Sequence, residues 1–171
     1  KMTESGPSLL KIYWILMKPR VVFLLQVTAL CGIFTYDFKE GYELGRTYID
    51  SIETSLIVLI GGTMASGGSM AINMWYERDI DPLMERTENR PIQSGLITPN
   101  HALIFGISIS IAGVLLVSIL TNINAGLITG LSALFYTTVY TMILKRRTPQ
   151  NIVIGGLAGS TPPAIGWAAA S

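Results

Sequence analysis

Asn73, Glu77 and Asp81 recur at four-residue intervals, so on a helix they form one slowly drifting stripe. Two carboxylates and an amide oxygen on one face are hard oxygen donors. Mg²⁺ takes such donors, usually one or two carboxylates completed by substrate phosphate oxygens and water. Asp79 lies in the same run and is a further candidate ligand. Arg78, Arg86 and Arg90 follow, and a guanidinium fork matches phosphate or carboxylate oxygens. Residues 73–91 hold five of the eleven acids, three arginines and two asparagines, whereas residues 55–72 carry no charge. A mixed charge run is more often a solvated connector. Acids spaced by four, placed where an uncharged segment ends, argue instead for the mouth of a site that holds a divalent cation against an anion.

The rest of the chain is apolar. It is 171 residues long, 50% hydrophobic and 13% charged, with a mean hydropathy of +0.49. Soluble domains carry about 25% charged residues. The fold class read from this is all-α, a polytopic bundle of membrane helices in one domain over residues 1–171, with the lipid bilayer as its surroundings and no nucleic-acid partner. The single cysteine, Cys31, permits neither an intrachain disulfide nor a thiolate metal cluster, and His101 alone makes no histidine site.

Five spans can position the charged stretch. The first reads as one helix over 9–36, kinked at Pro19. The second covers 55–76, with Gly61, Ala65 and Ser69 continuing the acid stripe backwards as small residues that admit a neighbouring helix. Pro82 is expected to stop it. Thr98 and Pro99 are an N-cap and first-turn pair opening a span over 102–120. A fourth covers 125–144, and a fifth, over 152–170, is broken or kinked by Pro162 and Pro163. If the spans alternate, ten of the twelve basic residues fall on one side, and only Lys39 and Arg46 on the other. The positive-inside rule then places the N-terminus, the acidic loop and the Lys145-Arg146-Arg147 loop together in the cytoplasm. Lys18 and Arg20 at the same face read either as interfacial anchors or as an anion clamp.

Acids for Mg²⁺, arginines for an anion and an apolar body together suit a polyprenyl diphosphate. Cations would stabilise the leaving diphosphate while the allylic carbon gains cationic character. Trp75, Tyr76, Tyr136 and Tyr140 could shelter that carbon by cation–π attraction, although an interfacial aromatic belt accounts for each singly.

Three motifs carry a resemblance. The run Asn73-x3-Glu77-x-Asp79-x-Asp81, with Met84-x-Arg86-Thr87-x2-Arg90-Pro91, resembles the first acidic motif of the UbiA superfamily of intramembrane prenyltransferases, in the form found in its haem-modifying branch. Tyr140-Thr141-x3-Lys145-Arg146-x-Thr148-x2-Asn151 resembles that family's second cytoplasmic loop. Gly155-Gly156-x2-Gly159-x2-Pro162-Pro163-x2-Gly166-Trp167 is similar to its next helix. The resemblance implies a nine-helix fold, of which about five helices are present. It implies a Mg²⁺-dependent membrane enzyme of a prokaryotic cell membrane that transfers farnesyl from farnesyl diphosphate to a vinyl group of haem B, with water adding, to give haem O. A downstream haem-modifying enzyme or oxidase assembly would then be a partner. By the family pattern Asn73, Glu77 and Asp81 hold the metal diphosphate and Asp79 assists; Tyr140, one of the four aromatics above, is the catalytic candidate beside the reacting carbon. Arg20, Arg78, Arg86, Arg90, Lys145 and Arg146 meet the diphosphate or the haem propionates.

The family more often has Asp at the position of Glu77. Its second acidic motif, after the sixth span, lies outside these residues, so the chain is expected to be an N-terminal fragment, inactive alone. Competing readings are a sibling prenyltransferase acting on a quinone precursor or lipid, a transporter or channel piece, and a structural subunit. A transporter should carry its charges near the midplane, not at one face.

Overall fold

The computed structural model describes residues 7–85, 87–144 and 151–171. Within them the chain runs through α1 (Leu9–Leu16), α2 (Pro19–Tyr36), α3 (Tyr48–Tyr76), α4 (Pro99–Leu120), α5 (Ile123–Leu134), α6 (Asn151–Gly159) and α7 (Thr161–Ala170). π-helical turns extend α2 over Asp37–Gly41 and α5 over Phe135–Leu144. No strand occurs among the described residues. Among the described residues, four helices are long and apolar enough to cross a membrane: Pro19–Gly41, Tyr48–Tyr76, Pro99–Leu120 and Ile123–Ile143.

The departures from the expected spans have local causes. The helix over 9–36 is broken rather than kinked. Lys18 takes the left-handed conformation, φ 48° and ψ 64°, because the following proline disfavours the right-handed helical region at its neighbour. The second span begins at Tyr48, well before residue 55. Thr47 and Asp50 close a capping box there, with the Thr47 N–H donating to Asp50 Oδ2 at 2.7 Å and the Asp50 N–H to Thr47 Oγ1 at 3.3 Å. The fifth span is two short helices joined at Ser160. Pro162 and Pro163 sit in the first turn of α7, where a missing N–H costs no helical bond, so the pair opens a helix instead of bending one.

Antiparallel α3 and α4 form the most intimate pair. A methyl added at Gly113 would lie 2.5 Å from the Gly61 carbonyl oxygen, and one at Gly68 would lie 2.5 Å from that of Gly106. Between these two crossings Ser110 Oγ donates to the Ala65 carbonyl at 3.1 Å. Small residues thus let two backbones meet, the packing that membrane helices use where no hydrophobic effect drives them together. Helix α2 meets α7 similarly, through Gly32 against the Pro163 carbonyl and Gly166 against the Ala29 carbonyl. Isoleucines 104, 107, 111 and 119 and Leu115 of α4 stay exposed, as a lipid-facing surface requires.

Two cores result. One joins Ala29, Ile33, Val58, Val117, Ala125 and the end of α7. The other joins Ile12 and Leu16 of α1, Ala71 and Met74 of α3, Ile92 and Ile97 of the following loop and Ala102 of α4. The second core fixes α1 and the 91–97 loop against the C-terminal end of α3, where the acids emerge.

Candidate active site

Helix α3 ends at Tyr76 with Glu77 as its C-cap, before Pro82 is reached. The acid stripe survives the ending. The Glu77 N–H donates to the Asn73 carbonyl at 3.0 Å, and the Asp81 N–H to the Glu77 carbonyl at 2.9 Å. Two successive four-residue turns therefore keep the three side chains in line, although Asp81 itself belongs to a 3₁₀ turn over Asp81–Leu83. All three are buried: Asn73 is 0%, Glu77 7% and Asp81 3% exposed.

Burial of carboxylates requires partners, and the loop supplies them. Arg90 Nη1 donates to both Asp81 oxygens at 2.7 Å and reaches Glu77 Oε2 at 3.4 Å. Gln93 Nε2 adds a bond to Asp81 Oδ2 at 3.4 Å. The buried Thr87 hydroxyl donates to the Asp81 carbonyl at 2.7 Å, pinning the loop that carries Arg90. Residues 87–93 are thus a strap that folds back over Asp81, and Arg90 on it neutralises the acid pair.

Asn73 is held from two other elements. Lys18 Nζ donates to its Oδ1 at 3.0 Å, and its Nδ2 donates to Thr141 Oγ1 at 3.3 Å. Thr141 in turn donates to the Tyr136 carbonyl at 2.9 Å, and Tyr76 to the Met142 carbonyl at 3.1 Å. The ends of α3 and of the π-helical segment after α5 thereby meet at one end of the bundle, as the loop charges predict.

An apolar cavity of about 360 Å³ opens beside Lys18 and runs between α2, α3, α5 and α7. Tyr136 and Tyr140 line it, stacked with ring centres 5.2 Å apart, and Tyr136 OH donates to Met70 Sδ at 3.4 Å. A methyl at Gly155 would fall 2.5 Å from two carbons of the Tyr140 ring, so this glycine makes room for it. Trp75 and Tyr76 do not line the cavity. Trp75 packs instead against the α1–α4 core.

The other sequence candidates divide. Arg78 is exposed, lies over the Trp75 ring at 4.6 Å and donates to the Trp75 carbonyl at 2.8 Å, on the outer side of the helix end. Asp79 and Arg20 are exposed. Arg86, Lys145 and Arg146 lie outside the described residues. Lys18, not Arg20, reaches the acid stripe; the signal for it was the Lys-Pro step, where the helix must break and turn its residues. Gln93 and Thr87 had no periodic signal.

Among the described residues, no three His, Cys, Asp or Glu side chains stand close enough to hold a metal by themselves. Two buried carboxylates with one amide oxygen suit Mg²⁺ when substrate phosphate completes its shell.

Residues 41–171 match the UbiA prenyltransferase family. Among curated relatives, the protoheme IX farnesyltransferase of Acidiphilium cryptum is 47% identical over 156 residues, covering 91% of this chain and 46% of that protein. Those of Ehrlichia chaffeensis and Bartonella henselae are 44% and 46% identical, covering 91% and 93% of this chain and 49% and 48% of theirs. The chain spans about half the length of the curated relatives it matches. No solved structure matches it. With the match running from before the capping box of α3 to the end of α7, through the helix end and loop that carry Asn73, Glu77, Asp81 and Arg90, the chain belongs to the UbiA prenyltransferase family.

Proposed function

We propose that this chain forms the first part of an enzyme that transfers a farnesyl group from farnesyl diphosphate to a vinyl group of haem B, giving haem O. The observation that carries the reading is the buried Glu77–Arg90–Asp81 clasp with Asn73 beside it, joined to an apolar cavity through Lys18, which bonds Asn73 and lines the cavity. A charged head and a hydrocarbon tail are matched side by side. The names of the relatives supply the acceptor.

In this reading Asn73, Glu77 and Asp81 hold a Mg²⁺-diphosphate. Bound Mg²⁺ supplies charge neutralisation of the leaving diphosphate. Lys18 turns from Asn73 toward the phosphate oxygens, and Arg90 keeps Asp81 oriented while sharing its positive charge with the anion. Tyr136 and Tyr140 present ring faces where the allylic carbon becomes cationic. The left-handed Lys18 fits such a role, since strained backbone persists where the surroundings hold it for function. The site face is cytoplasmic in the membrane of a prokaryote, and the product passes to a downstream haem-modifying enzyme or oxidase. The 171-residue chain alone is inactive, because diphosphate held from one side only is incompletely neutralised.

The test is a transfer assay in lipid with haem B, farnesyl diphosphate and Mg²⁺, run on the full-length gene product and its Asp81→Asn variant. Conversion of haem B by the former and its loss in the latter is the expected result. Equal conversion by both would remove the clasp from the mechanism.

A further inference from the structure

The cavity contains one polar group that the reading above leaves unused. Gln26 of α2 lines it and is 8% exposed, and its Oε1 is buried with no hydrogen-bond partner among the described residues. The hydroxyls in the same lining are different. Ser66, Ser69, Thr129 and Thr161 each donate to a carbonyl on their own helix or the turn before it. Buried amides are ordinarily bonded, so an unbonded one in an apolar cavity is a feature to be explained.

Its position is set by Gly62. A methyl there would lie 2.8 Å from Gln26 Nε2 and 3.0 Å from Oε1, so the carboxamide lies across the bare backbone of α3. Gly62 stands eleven residues before Asn73 on the same helix, about 16 Å along the axis. That is close to the extended length of a chain of three isoprene units hanging from a diphosphate held at Asn73. Beyond Gln26 the lining turns to Ala29, Val58 and Ile165, so further apolar depth exists behind the carboxamide.

We propose that Gln26, seated over Gly62, is the floor of the prenyl channel and sets the length of chain the site accepts. A hydrocarbon tail that ends at this level leaves the amide undisturbed. A longer tail must push past it, burying hydrocarbon against a polar group that hydrocarbon cannot satisfy. A shorter tail leaves part of the channel unfilled. Gln26 is thus a specificity residue, distant from the reacting carbon. The inference rests on the prenyl-transfer reading of the site.

The experiment is a competition. The full-length gene product in lipid receives haem B with equimolar geranyl, farnesyl and geranylgeranyl diphosphates, and the products are separated by mass. Gln26→Ala opens the deeper space and is expected to raise the geranylgeranyl-to-farnesyl product ratio by about tenfold or more. Gly62→Ala drives the carboxamide into the channel and is expected to raise the geranyl-to-farnesyl ratio by about tenfold. Ratios within one reaction do not depend on how much of a variant folds, and the two variants move selectivity in opposite directions. A wild type that transfers farnesyl, with neither ratio moved in its variant, overturns the role of Gln26 alone. A wild type that transfers none of the three overturns the prenyl-transfer reading and this inference with it.

Discussion

Each end of the bundle buries an aspartate against an arginine, and the two arrangements differ in what else they touch. At the far end Arg46 Nε donates to Asp37 Oδ1 at 2.6 Å and its Nη2 to Thr54 at 3.1 Å. Asp37 is fully buried, and a methyl at Gly41 would lie 2.9 Å from its Oδ1, so the pair is packed shut under the π-helical turn. None of these residues lines the apolar cavity. At the site end Arg90 is divided between two carboxylates, a lysine stands on the neighbouring amide, and the lysine lines the cavity. Thr54 lies nineteen residues before Asn73 on α3, about 28 Å away, so the two clusters act separately. An ion pair closed on itself ties a loop to a helix. One that shares its cation, beside an open cavity, is arranged to exchange partners.

The comparison breaks first, and most visibly, at the acids. Asp81→Asn in the full-length protein is expected to lower kcat/KM for prenyl transfer by about 100-fold or more, since under the proposed function it removes a charge that holds the diphosphate complex. Asp37→Asn should leave the folded enzyme within about threefold of wild type while lowering stability by roughly 2–4 kcal/mol, because Arg46 keeps its buried surroundings without its counter-ion. Transfer kinetics and unfolding in detergent read the two effects. If Asp37→Asn is the variant that kills turnover, the ends have been assigned the wrong way round.

The arginines sharpen the contrast at lower cost. Arg90 meets both acids through Nη1 alone, and a lysine in its place brings a more strongly hydrated ammonium on a shorter, more flexible stem. Arg90→Lys is expected to reduce transfer by about 10- to 30-fold at nearly unchanged stability. Arg46→Lys should cost about 1 kcal/mol, one hydrogen bond, with no change in transfer. Gly155→Ala tests the site from the cavity side. The added methyl must displace the Tyr140 ring, and a fall in kcat of about tenfold with KM little changed is the expected result. Unchanged kcat would mean that the ring is lipid-facing filler.

What the sequence made legible was what recurs by a period or follows a local rule. The four-residue spacing of Asn73, Glu77 and Asp81 and the Thr98-Pro99 helix start are of this kind. So is the alternation of basic loops that brings residues 73–91 and the end of the 125–144 span together. What stayed hidden depends on contacts between elements. Arg78 stands next to Glu77 in sequence, but adjacent helical residues face different ways, and the structure lays it on Trp75. Trp75 and Tyr76 read like Tyr136 and Tyr140 in composition, and only packing separates a core indole from cavity-lining phenols. The choice of Lys18 over Arg20 depends on the backbone break before Pro19. Gln26 gave no signal, because a lone amide in an apolar helix becomes informative only when its missing partner is seen.

The smallest test matches two threonines that perform the same local task at opposite ends. The Thr87 hydroxyl donates to the Asp81 carbonyl at 2.7 Å, and the Thr54 hydroxyl accepts from Arg46 Nη2 at 3.1 Å. Valine keeps the shape of threonine and deletes the bond, so each substitution is expected to cost about 1 kcal/mol of stability. Equal structural costs should then have unequal consequences. Thr87→Val loosens the strap that presents Arg90 to two carboxylates, and transfer should fall by about threefold, a shift of well under 1 kcal/mol in the barrier. Thr54→Val loosens a closed pair far from the cavity, and transfer per folded molecule should stay at the wild-type value. Measured together, unfolding midpoints that move alike and rates that do not would separate holding a fold from holding a site. If both rates fall equally, the far-end pair is coupled to the reaction through α3, and the division drawn between the two ends does not hold.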